Sequence, residues 1–256
     1  MRLFSVIVAL AMLVLSGCNK DGNKKEKQKP EVEQPKVKPA PAEKKDEAKA
    51  DGDAFKPGVW VDLFDGKTLN GWKNSGFDKH GKPVVDQKLL KIPMGEPLCG
   101  VTSTRKDLPR MGYEIELEVE KVDGDDFFCA LTFPVGKTHA TLVLGGWGGS
   151  VCGISSIDFM DAANNSTTSV IEFKENEWYH VKVRVLPDRL QAWLDSEELV
   201  NVVTKDRNVD IRIDIEDSCP LGLATFQTVA NYKYIRVRKL PKDFKLPEAE
   251  RTTDGL

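Results

Sequence analysis

Residues 113–119 read Tyr-Glu-Ile-Glu-Leu-Glu-Val, apolar and acidic in strict alternation. Successive side chains of a strand point to opposite faces, so this pattern fits a half-buried strand and no helix. The same period of two returns in 180–186 (HVKVRVL), 210–216 (DIRIDIE) and 234–240 (YIRVRKL). Turn signals such as Asp123-Gly124, Gly145-Gly146 and Pro187-Asp188 separate the runs. No long segment repeats every 3.6 residues, which excludes a parallel βαβ architecture. The expectation is all-β: about a dozen strands in two antiparallel sheets packed face to face.

The alternation also assigns faces. Tyr113, Ile115, Leu117 and Val119 point one way, and Glu114, Glu116 and Glu118 the other. In 180–185 the valines oppose His180, Lys182 and Arg184. Acidic and basic rows then read as cross-strand neighbours on a wet sheet face. Residues 177–203 form a hairpin turning at Pro187-Asp188, with Trp178 and Trp193 expected on its inner face. The sandwich spans 57–240, and the tail 241–256 reads as polar and loose.

Upstream, residues 1–18 carry Arg2, an apolar run from Leu3 to Leu15, then small residues. That is an export signal, too short for a comfortable membrane span. Its end, Leu15-Ser16-Gly17-Cys18, resembles the bacterial lipobox, which implies a lipid on Cys18 and anchoring in the cell envelope. Asn19 stands where an Asp would signal inner-membrane retention, so the outer membrane is favoured. Residues 19–56 form a tether: ten Lys, seven acids and four Pro lie within 20–49, with no aromatic residue. Such a composition cannot bury enough apolar surface to offset its ordering entropy, and it spans roughly 35 Å as flexible coil.

Charge excludes a polyanionic partner. Taking Arg2 and the ten tether lysines from the 37 basic residues leaves 26. Taking the seven tether acids, Asp51 and Asp53 from the 40 acidic residues leaves 31, so the domain stands near −5. Nucleic acid is therefore not expected. Beyond Cys18 there are Cys99, Cys129, Cys152 and Cys219, with three possible complete pairings and no CxxC spacing. Cys129, inside DFFCALTF, reads as a buried thiol.

Five stretches point further. They are LFDGKTLNGW (63–72), VVDQKLLKI (84–92), GYEIELEVE (112–120), the late hairpin 178–200 and GLATFQTVANYKYIRVRKL (222–240). Asp65-Gly66 supplies a tight turn and Trp72 a large apolar plug with one donor. Together these stretches resemble the 3-keto-disaccharide hydrolase family over roughly 60–240. The resemblance implies a concanavalin A-like jelly-roll β-sandwich related to laminin G domains. Two departures stand out. Gln87-Lys88 replaces the family's usual glycine turn. In the middle of the chain Ser156 stands where a site Glu is usual, and Asp158 where a Gln is usual.

The activity implied by the resemblance is cleavage of a glycoside already oxidised at C3. A base removes the acidified C2 proton, the leaving sugar departs, and water adds. Candidate bases are His139, Asp158 and Asp161. Asp158, Asp161, Asn164 and Asn165 are also hard oxygen ligands suited to calcium, or alternatively plain turn formers. Trp147, flanked by Gly146 and Gly148 inside a Gly-Gly-Trp-Gly-Gly run, offers an indole to a sugar ring, with Asn164 as a second contact. The other reading of Trp147 is a buried corner residue.

Glu114, Glu116 and Glu118 also suggest the Glu-x-Asp-x-Glu strand of retaining glucanases. The middle acid here is Glu and the alternation runs on to Glu120, as in a solvated charged row. No Gly-x-Ser-x-Gly, P-loop or dinucleotide fingerprint occurs, and His80, His139 and His180 lack metal spacing. Two functions stay open: a hydrolase of 3-keto-glycosides, and a non-catalytic laminin G-like carbohydrate-binding module.

Overall fold

A computed structural model describes residues 54–77 and 81–251. The chain divides into Met1–Glu47 and Ala48–Leu256, and all described residues lie in the second unit. The export signal, Cys18, the tether up to Asp53, and His80 lie outside the described residues.

Fifteen strands form among the described residues. The first eight are β1 (Val61–Asp62), β2 (Trp72–Asn74), β3 (Val84–Asp86), β4 (Leu89–Ile92), β5 (Leu98–Ser103), β6 (Tyr113–Gly124), β7 (Cys129–Val135) and β8 (Thr138–Gly145). The remainder are β9 (Val151–Ser155), β10 (Ser169–Val170), β11 (Trp178–Leu186), β12 (Arg189–Leu194), β13 (Glu197–Val203), β14 (Gly222–Phe226) and β15 (Thr228–Lys239). The first sheet runs β13-β12-β11-β6-β15-β4-β3, with β1 also on β15. The second runs β10-β9-β8-β7-β14-β5-β2. Their strand pairings are antiparallel. These are the two packed antiparallel sheets that the alternation implied, in the jelly-roll sandwich that the resemblance implied.

The core lies between the two inner faces. From β6 it takes Tyr113, Ile115, Leu117 and Val119, and from β7 Cys129, Leu131 and Phe133. Two buried tyrosines stitch the sheets together, because a buried hydroxyl needs a partner. Tyr113 donates to the Pro134 carbonyl, and Tyr232 to that of Phe128 at 2.9 Å. The four cysteines are free thiols, and burial pushes Cys129 up to about 12 and Cys99, Cys152 and Cys219 up to about 11.

The opening motif works as its residue types require. Asp65 accepts from the amides of Lys67 and Thr68 at 2.8 and 2.7 Å, and those bonds, with the Thr68 hydroxyl, hold its carboxyl below the usual range. Gly66 supplies the positive φ of 67°. Trp72, 6% exposed, donates its indole N–H to the Leu63 carbonyl at 2.7 Å and closes the end of the core.

The charged rows do pair across strands. Lys182 and Arg184 of β11 lie opposite Glu116 and Glu114 of β6, and Arg236 and Arg238 of β15 flank the same two acids from the other side. The face is less wet than expected, since Glu114 is fully buried between Arg184 at 2.8 Å and Arg238 at 2.6 Å. Trp178 and Trp193 belong to this outer face, not the inner one. Trp178 has the parity of His180, and Trp193 is paired opposite Lys182, which stacks on its ring at 3.9 Å.

Two boundaries also move. Phe55 is fully buried under Arg105, so the domain takes in residues assigned to the tether. The tail as far as Arg251 packs onto the first sheet: Phe244 stacks on Arg184, Glu250 pairs with Arg184, and the Asn201 amide reaches the Glu250 carbonyl at 2.9 Å.

Candidate functional site

The outer face of the second sheet is a floor of small side chains. One register row runs Thr102, Gly222, Thr132, Thr141, Ser155. The next runs Gly100, Ala224, Ala130, Val143, Gly153. Small residues are needed because a strap, residues 205–218, crosses this face. A Cβ on Gly222 would lie 2.5 Å from the Ser218 carbonyl oxygen. The strap includes DIRIDIE, which alternates but forms no strand. Its residues 208–210 pair with 156–158 through Ser156 N to Asp210 O (2.7 Å) and Asp158 N to Asn208 O (2.8 Å). It then tightens into a 3-10 turn, Ile213–Ser218. Lying across the face, the strap buries Ile215 on Phe77, Ala130 and Ala224 and leaves Ile213 88% exposed.

At the end of the floor, β8 leaves through a left-handed turn. Gly145, Trp147 and Gly148 have φ of 75°, 50° and 89°. Glycine takes this backbone at little cost, but Trp147 takes it against its own Cβ. Asp126 fixes the turn by accepting from the Gly148 amide at 3.1 Å, while its other oxygen accepts from Phe127 N at 2.7 Å. The indole stands 44% exposed.

Floor, strap and turn enclose a cavity of about 240 Å³. Its buried bottom is Ala130, Thr141, Val143 and Ser155, and its walls are Leu98, Phe127 and Phe226. Trp147, Asp126, Arg212 and Asp214 stand around the mouth, with the latter two exposed on the strap. Arg212 donates to Asp214 at 3.0 Å, a bond that raises its pKa further. Thr141 Oγ1 shares a hydrogen bond with Thr132 Oγ1 at 2.9 Å. Ser155 Oγ, on a residue 2% exposed, has no partner among the described residues.

Of the residues singled out in the sequence, Trp147 lines the cavity, and Gly146 and Gly148 form the turn that presents it. His139 lies one residue pair beyond Thr141 on β8, against the strap, with its Nε2 unpartnered among the described residues. Burial lowers its pKa first, Arg110 lowers it further, and Asp210 opposes them.

Asp158 and Asp161 do not line the cavity; they hold the strap. Asp158 accepts from Asn208 N at 2.9 Å and faces Arg207 at 3.5 Å, while Asp161 faces Arg212 at 3.6 Å. Asn164 donates to Asp161 at 2.8 Å, and Asn165 donates to the Met160 and Asp161 carbonyls of its own loop and to the Ile154 carbonyl of β9. These oxygens serve turns and arginines, and no group of three His, Cys, Asp or Glu among the described residues gathers to hold a metal. The calcium use therefore does not fit the residues present.

Asp126, Phe127, Phe226, Arg212, Asp214 and Ser155 went unnoticed in the sequence. Phe127 and Phe226 sit in runs dense with core residues, and only the paired Asp125-Asp126 before Phe127 interrupts the pattern.

The two antiparallel sheets and the roofed groove define a jelly-roll β-sandwich domain. Residues 59–238 match the sequence model of the 3-keto-alpha-glucoside-1,2-lyase-like domain, and the chain belongs to that family. No curated protein matched the chain. Among solved structures, an endo-acting O-glycanase of the human gut microbiota is similar at 14% identity and TM-score 0.51, covering 73% of this chain and 100% of the other. The carbohydrate-binding module CBM66 of Bacillus subtilis is similar at 15% identity and TM-score 0.45 (66% and 96% covered). A β-1,3-glucanase of Mycobacterium marinum is similar at 11% identity and TM-score 0.45 (72% and 99% covered).

Proposed function

We propose that this chain is an exported domain, lipid-anchored through Cys18 in the bacterial outer membrane, that holds a glycoside at the mouth of the covered cavity. The observation that carries the reading is the exposed indole of Trp147, fixed by a left-handed turn beside Asp126, Arg212 and Asp214. An indole offers a flat apolar face to the C–H side of a sugar ring, and the charged groups beside it suit the ring hydroxyls. Membership of a carbohydrate-active family supports the same ligand class.

The test is titration of the full chain, in detergent, with glucosides and their C3-oxidised forms. Trp147→Ala is expected to weaken binding at least tenfold in a protein of unchanged circular dichroism. Unchanged affinity would overturn the reading. Cys18→Ala is expected to leave the membrane fraction, and its retention there would remove the anchor.

A second reading is turnover of 3-keto-glycosides, and His139 favours it. Its lowered pKa favours the neutral imidazole at pH 7, and its Nε2, buried and without a partner among the described residues, is the atom that would take the proton. The base takes the C2 proton that the C3 ketone acidifies. The C1–O bond then breaks, the leaving oxygen takes a proton, and water adds to the resulting enone. His139→Gln is expected to lower turnover at least a hundredfold, in the usual range for a general base. The wild-type rate is expected to fall as pH drops through the lowered pKa, where the imidazole takes up a proton. Full activity in the variant, or a rate indifferent to acid, removes His139 as the base.

A further inference from the structure

We infer that the cavity behind Trp147 is a subsite for an apolar or aromatic aglycone carrying one oxygen, so that the glycosides held here are aryl glycosides rather than disaccharides. The inference rests on the sugar-binding reading of the mouth and concerns what lies behind it. Hydrogen-bonding capacity decides the matter. The charged groups, Asp126, Arg212 and Asp214, stand at the mouth, where sugar hydroxyls meet both them and water. Deeper in, only two polar side chains border the cavity, Thr141 and Ser155. Thr141 is already bonded to Thr132. Ser155 Oγ is left alone, buried and without a partner among the described residues.

The rest of the interior is carbon: Ala130 and Val143 below, Leu98, Phe127 and Phe226 at the sides, Ile215 above. A hexose sealed in this space would lose water from several hydroxyls and regain one hydrogen bond. Each remaining group would carry a desolvation cost. An aromatic ring with one oxygen loses little. Phe127 and Phe226, with centroids 5.6 Å apart, give it ring contacts, and Ser155 meets its oxygen. At about 240 Å³ the space suits one ring, not a chain.

The experiment is calorimetric titration of the full chain in detergent with 4-hydroxyphenyl glucoside (a phenyl glucoside whose ring carries the oxygen that Ser155 would meet), methyl glucoside and maltose, each as the parent and the C3-oxidised form. The expected result is at least tenfold tighter binding of the phenyl glucoside than of the other two. Ser155→Ala should erase most of that preference without lowering the thermal midpoint, because it removes a hydroxyl that no described residue satisfies. Ala130→Met, which fills the floor, should erase it as well. If methyl glucoside and maltose bind as well as phenyl glucoside, and neither variant matters, the aglycone subsite is wrong while the sugar site at Trp147 stands. If no glycoside binds and phenol alone enters the cavity, the sugar reading fails, and the inference falls with it. If Ser155→Ala lowers the thermal midpoint and all affinities together, the hydroxyl is structural and the inference is overturned.

Discussion

Trp147 occupies a backbone conformation (φ 50°, ψ 51°) that a side chain with a Cβ disfavours by about 1–2 kcal/mol. A residue kept in such a conformation needs a compensating use, and the exposed indole at a cavity mouth is one. The strain makes a prediction that sugar binding alone does not. Trp147→Gly should be more stable to denaturant than Trp147→Ala by about 1 kcal/mol, because glycine takes the left-handed backbone freely. Both variants should lose glycoside affinity. If the glycine variant is the less stable of the two, the turn is not strained and the case for a maintained functional residue weakens.

At the scale of elements, β6 shows how the same residue type carries different energies along one strand. Glu114 is fully buried between two arginines, while Glu118 meets Lys233 at 2.7 Å near solvent. Removing one partner of a buried pair strands the other, at about 3–5 kcal/mol, whereas an exposed pair contributes below about 1 kcal/mol. Glu114→Ala should therefore cost about 3 kcal/mol in urea unfolding, and Glu118→Ala under 1. Equal losses would mean that the ladder is uniformly solvated.

The β3–β4 hairpin carries a second test. Gln87 and Lys88 both have positive φ, 52° and 65°, in a turn that favours Asn-Gly. Replacing the pair by Asn-Gly should stabilise the domain by about 1 kcal/mol, measured by the same method.

These elements show what the sequence carries and what it hides. Alternation in β6, β11 and β15 gave strand type and the face of each residue, and in β6 and β11 the pairing of charged rows, because a period of two reports directly on a sheet face. It failed at 210–216, where alternating isoleucines lie in a strap. Periodicity says which side chains share a side, not whether an edge is free to pair. The tryptophans of β11 and β12 were misplaced because hydrophobicity was weighed above parity. Most of the cavity went unseen because its residues come from six separated parts of the chain, which only topology brings together.

For the whole molecule, the two sheets divide the work. The first has its outer face closed by ion pairs, stacked aromatics and the segment 241–251. The second keeps a covered groove. Deleting the chain after Leu240 removes Phe244 and Glu250 from Arg184, and the thermal midpoint should fall by several degrees, since about 1 kcal/mol corresponds to 2–4 °C in a domain of this size. An unchanged midpoint would show that the segment contributes nothing to stability.

The strap that roofs the groove is held in two ways: by uncharged contacts, namely the backbone hydrogen bonds at 156–158, buried Ile215 and the Thr102 hydroxyl donating to the Asp217 carbonyl at 2.6 Å, and by the pairs Arg207–Asp158 and Arg212–Asp161 near solvent at 3.5 and 3.6 Å. Salt screens the second kind of grip and leaves the first almost untouched. Raised ionic strength should thus weaken this part of the strap's hold together with the other exposed pairs, Lys233–Glu118 among them, while the uncharged contacts keep the groove roofed.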